Sequence, residues 1–142
     1  MAHVLVVDDS PTIRLSIRTW LEGAGHQVSE AADGLIAMTK LRELKGPLVV
    51  LLDYQMPGMD GFEVLQTAMA EHRGPPDFGY VIISSLQAGF PPEFVNLLRQ
   101  LSIQIMPKPF DSNSVLAVVE FVAGRLEAGV AVGAPARTET SA

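Results

Sequence analysis

Leu48, Val49, Val50, Leu51 and Leu52 follow one another without a polar residue between them. The run is too short to cross a membrane, and it does not alternate as a half-exposed strand must. It reads as a strand covered on both faces, which is the habit of parallel sheets flanked by helices. Three more runs are mainly apolar: Val4 to Val7, Tyr80 to Ile83, and Ile103 to Met106 with Gln104 inside it. All four are expected to be buried strands. Each runs into residues that handle phosphate or a hard cation. Asp8 and Asp9 follow the first run, and Asp53 follows Leu52. Ser84 and Ser85 follow Ile83, and Lys108 follows Met106 after Pro107.

Helical periodicity fills the gaps. Ser10-Pro11 has the form of an N-cap with proline at the first helical position. Ile13, Ile17 and Leu21 then recur every four residues, with Arg14 and Arg18 on the other side. That helix is expected to end near Gly23-Ala24-Gly25. Residues 27–31 form a short strand candidate. Asp33-Gly34 opens a second helix carrying Ala37, Met38, Leu41 and Leu44, and Gly46-Pro47 stops it. Pro57-Gly58 turns the chain into a third helix over residues 61–72, with Phe62, Leu65 and Met69 inward. Pro91-Pro92 starts a fourth, holding Phe94, Leu97, Leu98 and Leu101. Asp111 caps a fifth, with Val115, Val118, Val119, Val122 and Leu126 on one side.

Five strand–helix units in strict alternation imply a doubly wound α/β fold: a five-stranded parallel sheet with helices on both faces. The chain of 142 residues is expected to be one domain over residues 1–127, followed by a flexible tail or linker over residues 128–142. There is no cysteine, which excludes disulfides and thiolate metal sites. A formal charge of −6 argues against nucleic-acid binding. No apolar run is long enough for a membrane helix, and no secretory signal opens the chain. A cytoplasmic location is the expectation. His3, His26 and His72 follow no ligand spacing.

Ligands of open parallel sheets bind beyond the carboxyl ends of the strands, where strand order reverses. With the order 2-1-3-4-5, the first and third strands meet there, and Asp8, Asp9 and Asp53 face one another. Clustered carboxylates repel, and their pKa values rise unless a cation joins them. Mg2+, with its hard oxygen ligands, answers that need. Asp53 is then placed to attack phosphorus and form an acyl phosphate. Lys108 and the Ser84 hydroxyl can meet phosphoryl oxygens.

The set Val6-Val7-Asp8-Asp9-Ser10, Leu51 through Gly61, Ile83-Ser84-Ser85 and Lys108-Pro109-Phe110 resembles the receiver domain of bacterial response regulators. These proteins form the flavodoxin-like family that includes the chemotaxis regulator, and the match covers residues 1–127. The resemblance implies that Asp53 is the phosphoacceptor. It implies Asp9 as a direct Mg2+ ligand, Asp8 acting through water, and the Gln55 carbonyl as a further ligand. It makes Ser84 the switch hydroxyl, Ser85 the small residue after it, and Lys108 the family lysine with a cis bond to Pro109. The implied partners are a sensor histidine kinase or histidine phosphotransfer protein, and an output protein met by the fourth helix, fifth strand and last helix.

Two positions depart from the family's habit. Ile105 stands where a tyrosine or phenylalanine often swings inward, and residues 86–92 make an unusual lead into the fourth helix. Two rival readings differ in class. An aspartyl-phosphate hydrolase usually has its nucleophile on the first strand and a second aspartate two residues on, whereas Ser10 follows Asp8 at that distance and no cap segment is present. A pseudo-receiver that only binds proteins would not need the complete acidic set. The expectation is therefore a switch, not an enzyme.

Overall fold

Strands and helices alternate through the whole of the computed structural model, which describes residues 1–85 and 89–128. The elements are β1 (His3–Val7), α1 (Pro11–Gly23), β2 (Gln27–Ala31), α2 (Gly34–Glu43) and β3 (Leu48–Asp53). Then come α3 (Gly61–Ala70), β4 (Phe78–Ser85), α4 (Pro92–Leu101), β5 (Gln104–Lys108) and α5 (Ser112–Glu127). The five strands form one parallel sheet in the order β2-β1-β3-β4-β5, as expected.

Residue alternation along the strands divides the core into two layers. Leu5, Val7, Val50, Leu52, Tyr80 and Ile82 face α2, α3 and α4. Val4, Val6, Val49, Leu51, Val81 and Ile83 face α1 and α5. β1, β3 and β4 therefore have no polar face, which is why their sequences do not alternate.

Helix starts follow local chemistry. Ser10, Asp33 and Asp111 accept backbone N–H bonds at the starts of α1, α2 and α5. Asp60 and Glu63 form a reciprocal capping box on α3. Each such cap stabilises its helix by about 1 kcal/mol.

Several expected details are corrected. The run at residues 103–106 is not a buried strand: β5 lies at the sheet edge, and only Met106 in it is buried. An edge strand has one neighbour, so apolar content does not guarantee cover. Ile103 belongs to the end of α4, where Ser102 is left-handed and the Ile103 N–H donates to the Leu98 carbonyl. On α3, Val64, Leu65 and Ala68 form the buried stripe, and Phe62 and Met69 are half-buried beside it. That helix also stops at Ala70, before His72, whose φ is +60°. The tail and residues 86–88 of the lead into α4 lie outside the described residues, Ala128 apart.

Candidate functional site

The carboxyl ends of β1 and β3 lie side by side, with Val7 registered on Leu52. Asp8 comes one residue past β1, and Asp53 is the last residue of β3. Both are buried. Asp9, the next residue, is exposed. Carboxylate oxygens of Asp8, Asp9 and Asp53 all lie within 4.8 Å of one another. Lys108, at the end of β5, reaches past β4 to them. Its Nζ is 3.3 Å from Asp53 Oδ1 and 3.4 Å from Asp8 Oδ2.

Two of the three carboxylates, Asp8 and Asp53, thus share one ammonium. Burial, aided by the charges of Asp8 and Asp9, pushes the Asp53 carboxyl up to about 6, against the opposing pull of Lys108. Asp8 Oδ2 is buried and has no hydrogen-bond partner. An anionic oxygen with no hydrogen bond and only the Lys108 ion pair, beside two further carboxylates, belongs to a donor set for a hard divalent cation, and Mg2+ fits it. Gln55, two residues beyond Asp53, is exposed on the loop that follows β3. The Lys108–Pro109 bond is cis.

The loop that follows Asp53 is closed tightly. The Gly61 N–H donates to the Tyr54 carbonyl at 2.8 Å, and the Tyr54 N–H donates to the Ile83 carbonyl at 2.9 Å. A Cβ on Gly61 would stand 2.7 Å from the Asp53 carbonyl oxygen and 2.9 Å from the Tyr54 Cα. Both obstacles are backbone, so Gly61→Ala is expected to shift the loop and cost about 1–3 kcal/mol in a denaturant melt. Unchanged stability would show that the loop yields freely.

Ser84 is placed differently from the other expected site residues. It is buried, and its hydroxyl donates to the Ser85 carbonyl at 3.0 Å. Strand alternation explains this. Asp53 continues the row of Val49 and Leu51, whereas Ser84 continues the row of Tyr80 and Ile82 on the opposite face. Asp8, Asp9, Asp53 and Lys108 are brought together; the Ser84 hydroxyl is committed elsewhere in this state.

Two features escaped sequence reasoning. The first is an aromatic cluster that starts one residue past Asp53. The Tyr54 ring lies 4.7 Å from Phe90 and 5.0 Å from Phe94, and Phe62 lies 4.9 Å from Phe94. In the sequence Phe62 and Phe94 read only as core positions. The second is an apolar groove beside the pocket, lined by Ile13, Ser16, Trp20, Lys108, Pro109 and Phe110. Trp20 meets Phe110 edge-on at 6.3 Å.

The family described as response regulator receiver domain matches residues 4–120. The chemotaxis protein CheY of Listeria monocytogenes is 33% identical over 122 residues, covering 84% of this chain and 97% of that protein. A protein-glutamate methylesterase/protein-glutamine glutaminase of Anaeromyxobacter dehalogenans is 33% identical over 133 residues. The match takes in 89% of this chain, but the chain spans only 36% of that protein. Among solved structures, a CheY-like receiver domain protein from Methanospirillum hungatei superposes with a TM-score of 0.78 at 25% identity. It covers 89% of this chain and 98% of its own.

Proposed function

The chain belongs to the response regulator receiver domain family, and on that premise we propose that it is a phosphorylation switch whose acceptor is Asp53. The observation that carries the proposal is the convergence of Asp8, Asp9, Asp53 and Lys108 at one sheet edge. The donor we propose is a phosphohistidine on a sensor kinase or phosphotransfer protein. Asp53 attacks its phosphorus in line. The phosphorus–nitrogen bond breaks, and the electron pair leaves with the imidazole. Asp9, Asp53 and the Gln55 carbonyl, with Asp8 through water, would hold Mg2+, which screens the carboxylates from the incoming oxygens. Lys108 already faces Asp53 and is placed to meet a phosphoryl oxygen. Ser84 is proposed to leave the Ser85 carbonyl and donate to another. The groove beside Lys108 is apolar and borders the pocket, so it suits the donor protein's approach.

Receiver domains are signalling modules, and we propose that this one, residues 1–127, acts by changing its affinity for an output protein. No helix among the described residues is long and apolar enough to cross a membrane. The output face we assign to α4, β5 and α5, where Ile105 and Phe121 are exposed. The route from Asp53 to α4 runs through the rings. Tyr54 follows the acceptor, and it packs on Phe90 and Phe94. α4 has no side-chain N-cap, and only Phe94 and Leu98 in it are buried. Its position therefore depends heavily on the ring contacts. Phe94→Leu keeps the apolar burial and removes the stacking. It is expected to cost about 1–2 kcal/mol and to speed amide hydrogen exchange in α4, with phosphate uptake nearly unchanged. Wild-type protection of α4 in that variant would exclude this route.

The primary test is labelling of the full chain by acetyl phosphate. Uptake of phosphate with Mg2+, and its loss with a chelator, is the expected result. Labelling that ignores the chelator would overturn the Mg2+ part of the proposal. No labelling of the folded chain under any condition would favour the module that only binds proteins.

A further inference from the structure

Asp8 Oδ2 faces the pocket with no hydrogen bond and only the Lys108 ion pair, and the residue's other polar atoms are all committed. Its N–H donates to the Ala31 carbonyl at 3.1 Å. Its Oδ1 accepts from the Ser10 N–H at 2.8 Å. Its backbone carbonyl accepts from Arg14 Nη1 at 2.6 Å. Only Oδ2 is left for the pocket.

Arg14 is in turn fixed. Its Nε donates to Glu30 Oε1 at 2.9 Å, so a side chain of α1 is tied to β2 and to the turn after β1 at once. Arg14 is also a cation beside a site that fits another cation. On its own it would oppose Mg2+. Glu30 cancels that charge. Burial raises the Glu30 carboxyl, but hydrogen bonds from Arg18 and Arg14 outweigh it and hold the group below its ordinary range. The second Glu30 oxygen belongs to Arg18 Nε at 2.5 Å. Arg18 makes no hydrogen bond or ion pair to Asp8: its other partners are Glu22 and the Val28 carbonyl.

We infer that Arg14 is a positioning residue for the acidic pocket, and that Glu30 neutralises it so that it can hold Asp8 without repelling the metal. The inference rests on the proposed Mg2+ site and adds the device that sets its affinity. Arg14 makes the clamp and Glu30 removes its electrostatic cost. Arg18 supports Glu30 only.

The three roles separate in a calorimetric Mg2+ titration of the full chain. Arg14→Met is expected to weaken Mg2+ about tenfold at low and high salt alike, the scale of one lost hydrogen bond to a charged group. Glu30→Gln leaves the clamp charged, so its loss of affinity is expected at low salt and recovers near 0.5 M salt, where charge is screened to ~4 Å. Arg18→Met is expected to stay within about twofold of wild type, because it leaves the Asp8 contact in place. Should Arg14→Met fail to fold, Arg14→Lys keeps the charge and one donor, and a loss of about threefold is expected.

The inference is overturned if neither Arg14 variant alters affinity. It is equally overturned if Arg18→Met weakens Mg2+ as much as Arg14→Met, because a general structural role would then suffice. A salt-independent Glu30→Gln effect would remove the neutralising role. If wild type binds no Mg2+, the proposed metal site fails and this device fails with it. If wild type binds Mg2+ and takes up phosphate while Arg14→Met binds equally well, only the device fails.

Discussion

Asp53→Ala is expected to take up at least ~100-fold less phosphate from acetyl phosphate than wild type, since it lacks the attacking oxygen. The wild-type adduct should survive acid and be cleaved by hydroxylamine, as an acyl phosphate is. Asp53→Asn should behave like Asp53→Ala. The amide keeps the shape of the carboxylate but is not a nucleophile of comparable strength. The readout is intact mass before and after hydroxylamine. Equal labelling of either variant would place the acceptor elsewhere. Lys108→Met should in addition raise the Asp53 pKa above about 6, because Lys108 is the group that lowers it. That shift is measurable by following the carboxyl carbon in NMR.

A second large effect concerns stability. The Asp53 carboxyl titrates near 6 in the fold, chiefly through burial and the Asp8 charge, and near 3.9 in an unfolded chain. Between those values the native state holds the proton more tightly. The fold is therefore favoured most below about pH 4, and that advantage drains away as pH climbs through about 6. Ionised Asp53 then weakens the fold by up to about 3 kcal/mol, two pKa units at about 1.4 kcal/mol each. Asp53→Asn escapes this penalty. It is expected to be more stable than wild type by about 1–3 kcal/mol at pH 8, with little difference at pH 4. Mg2+ should narrow the gap at pH 8, because it binds the native carboxylates: about 2.7 kcal/mol is gained at 100 times Kd. Urea unfolding at the two pH values, with and without Mg2+, reads all of this. Equal stability of the two proteins at pH 8 would mean that the pocket does not strain the fold.

The same pocket shows why parts of the molecule were legible in sequence. β1, β3 and β4 are covered on both sides, so burial removed every polar residue from the strand interiors. The residues at their exits then stood out. Ser10, Asp33 and Asp111 were readable because capping is local chemistry.

What was missed depends on partners distant in the chain. β5 has apolar residues like its neighbours, yet it lies at an edge, and nothing within residues 103–106 says how many neighbours a strand has. Ser84 and Asp53 both lie at strand ends, and that shared place is legible in sequence, but the row of side chains each joins is not. Counting alternation from the register would have put them on opposite faces, and register is a pairing property. Arg14 and Arg18 read only as the outer side of α1, because Glu30 lies beyond the intervening turn on a short strand of mixed polarity. The rings of Tyr54, Phe62, Phe90 and Phe94 come from three segments, each unremarkable alone.

β5 leaves one rim of the sheet uncovered by any sixth strand among the described residues. Such rims invite strand addition, and with it uncontrolled polymerisation. Here Pro107 inside β5 and Pro109 just past its end lack the amide hydrogen that an added strand would need there. Lys108 between them leans into the acidic pocket. Next to the pocket this margin is therefore better suited to side-chain contacts than to strand addition.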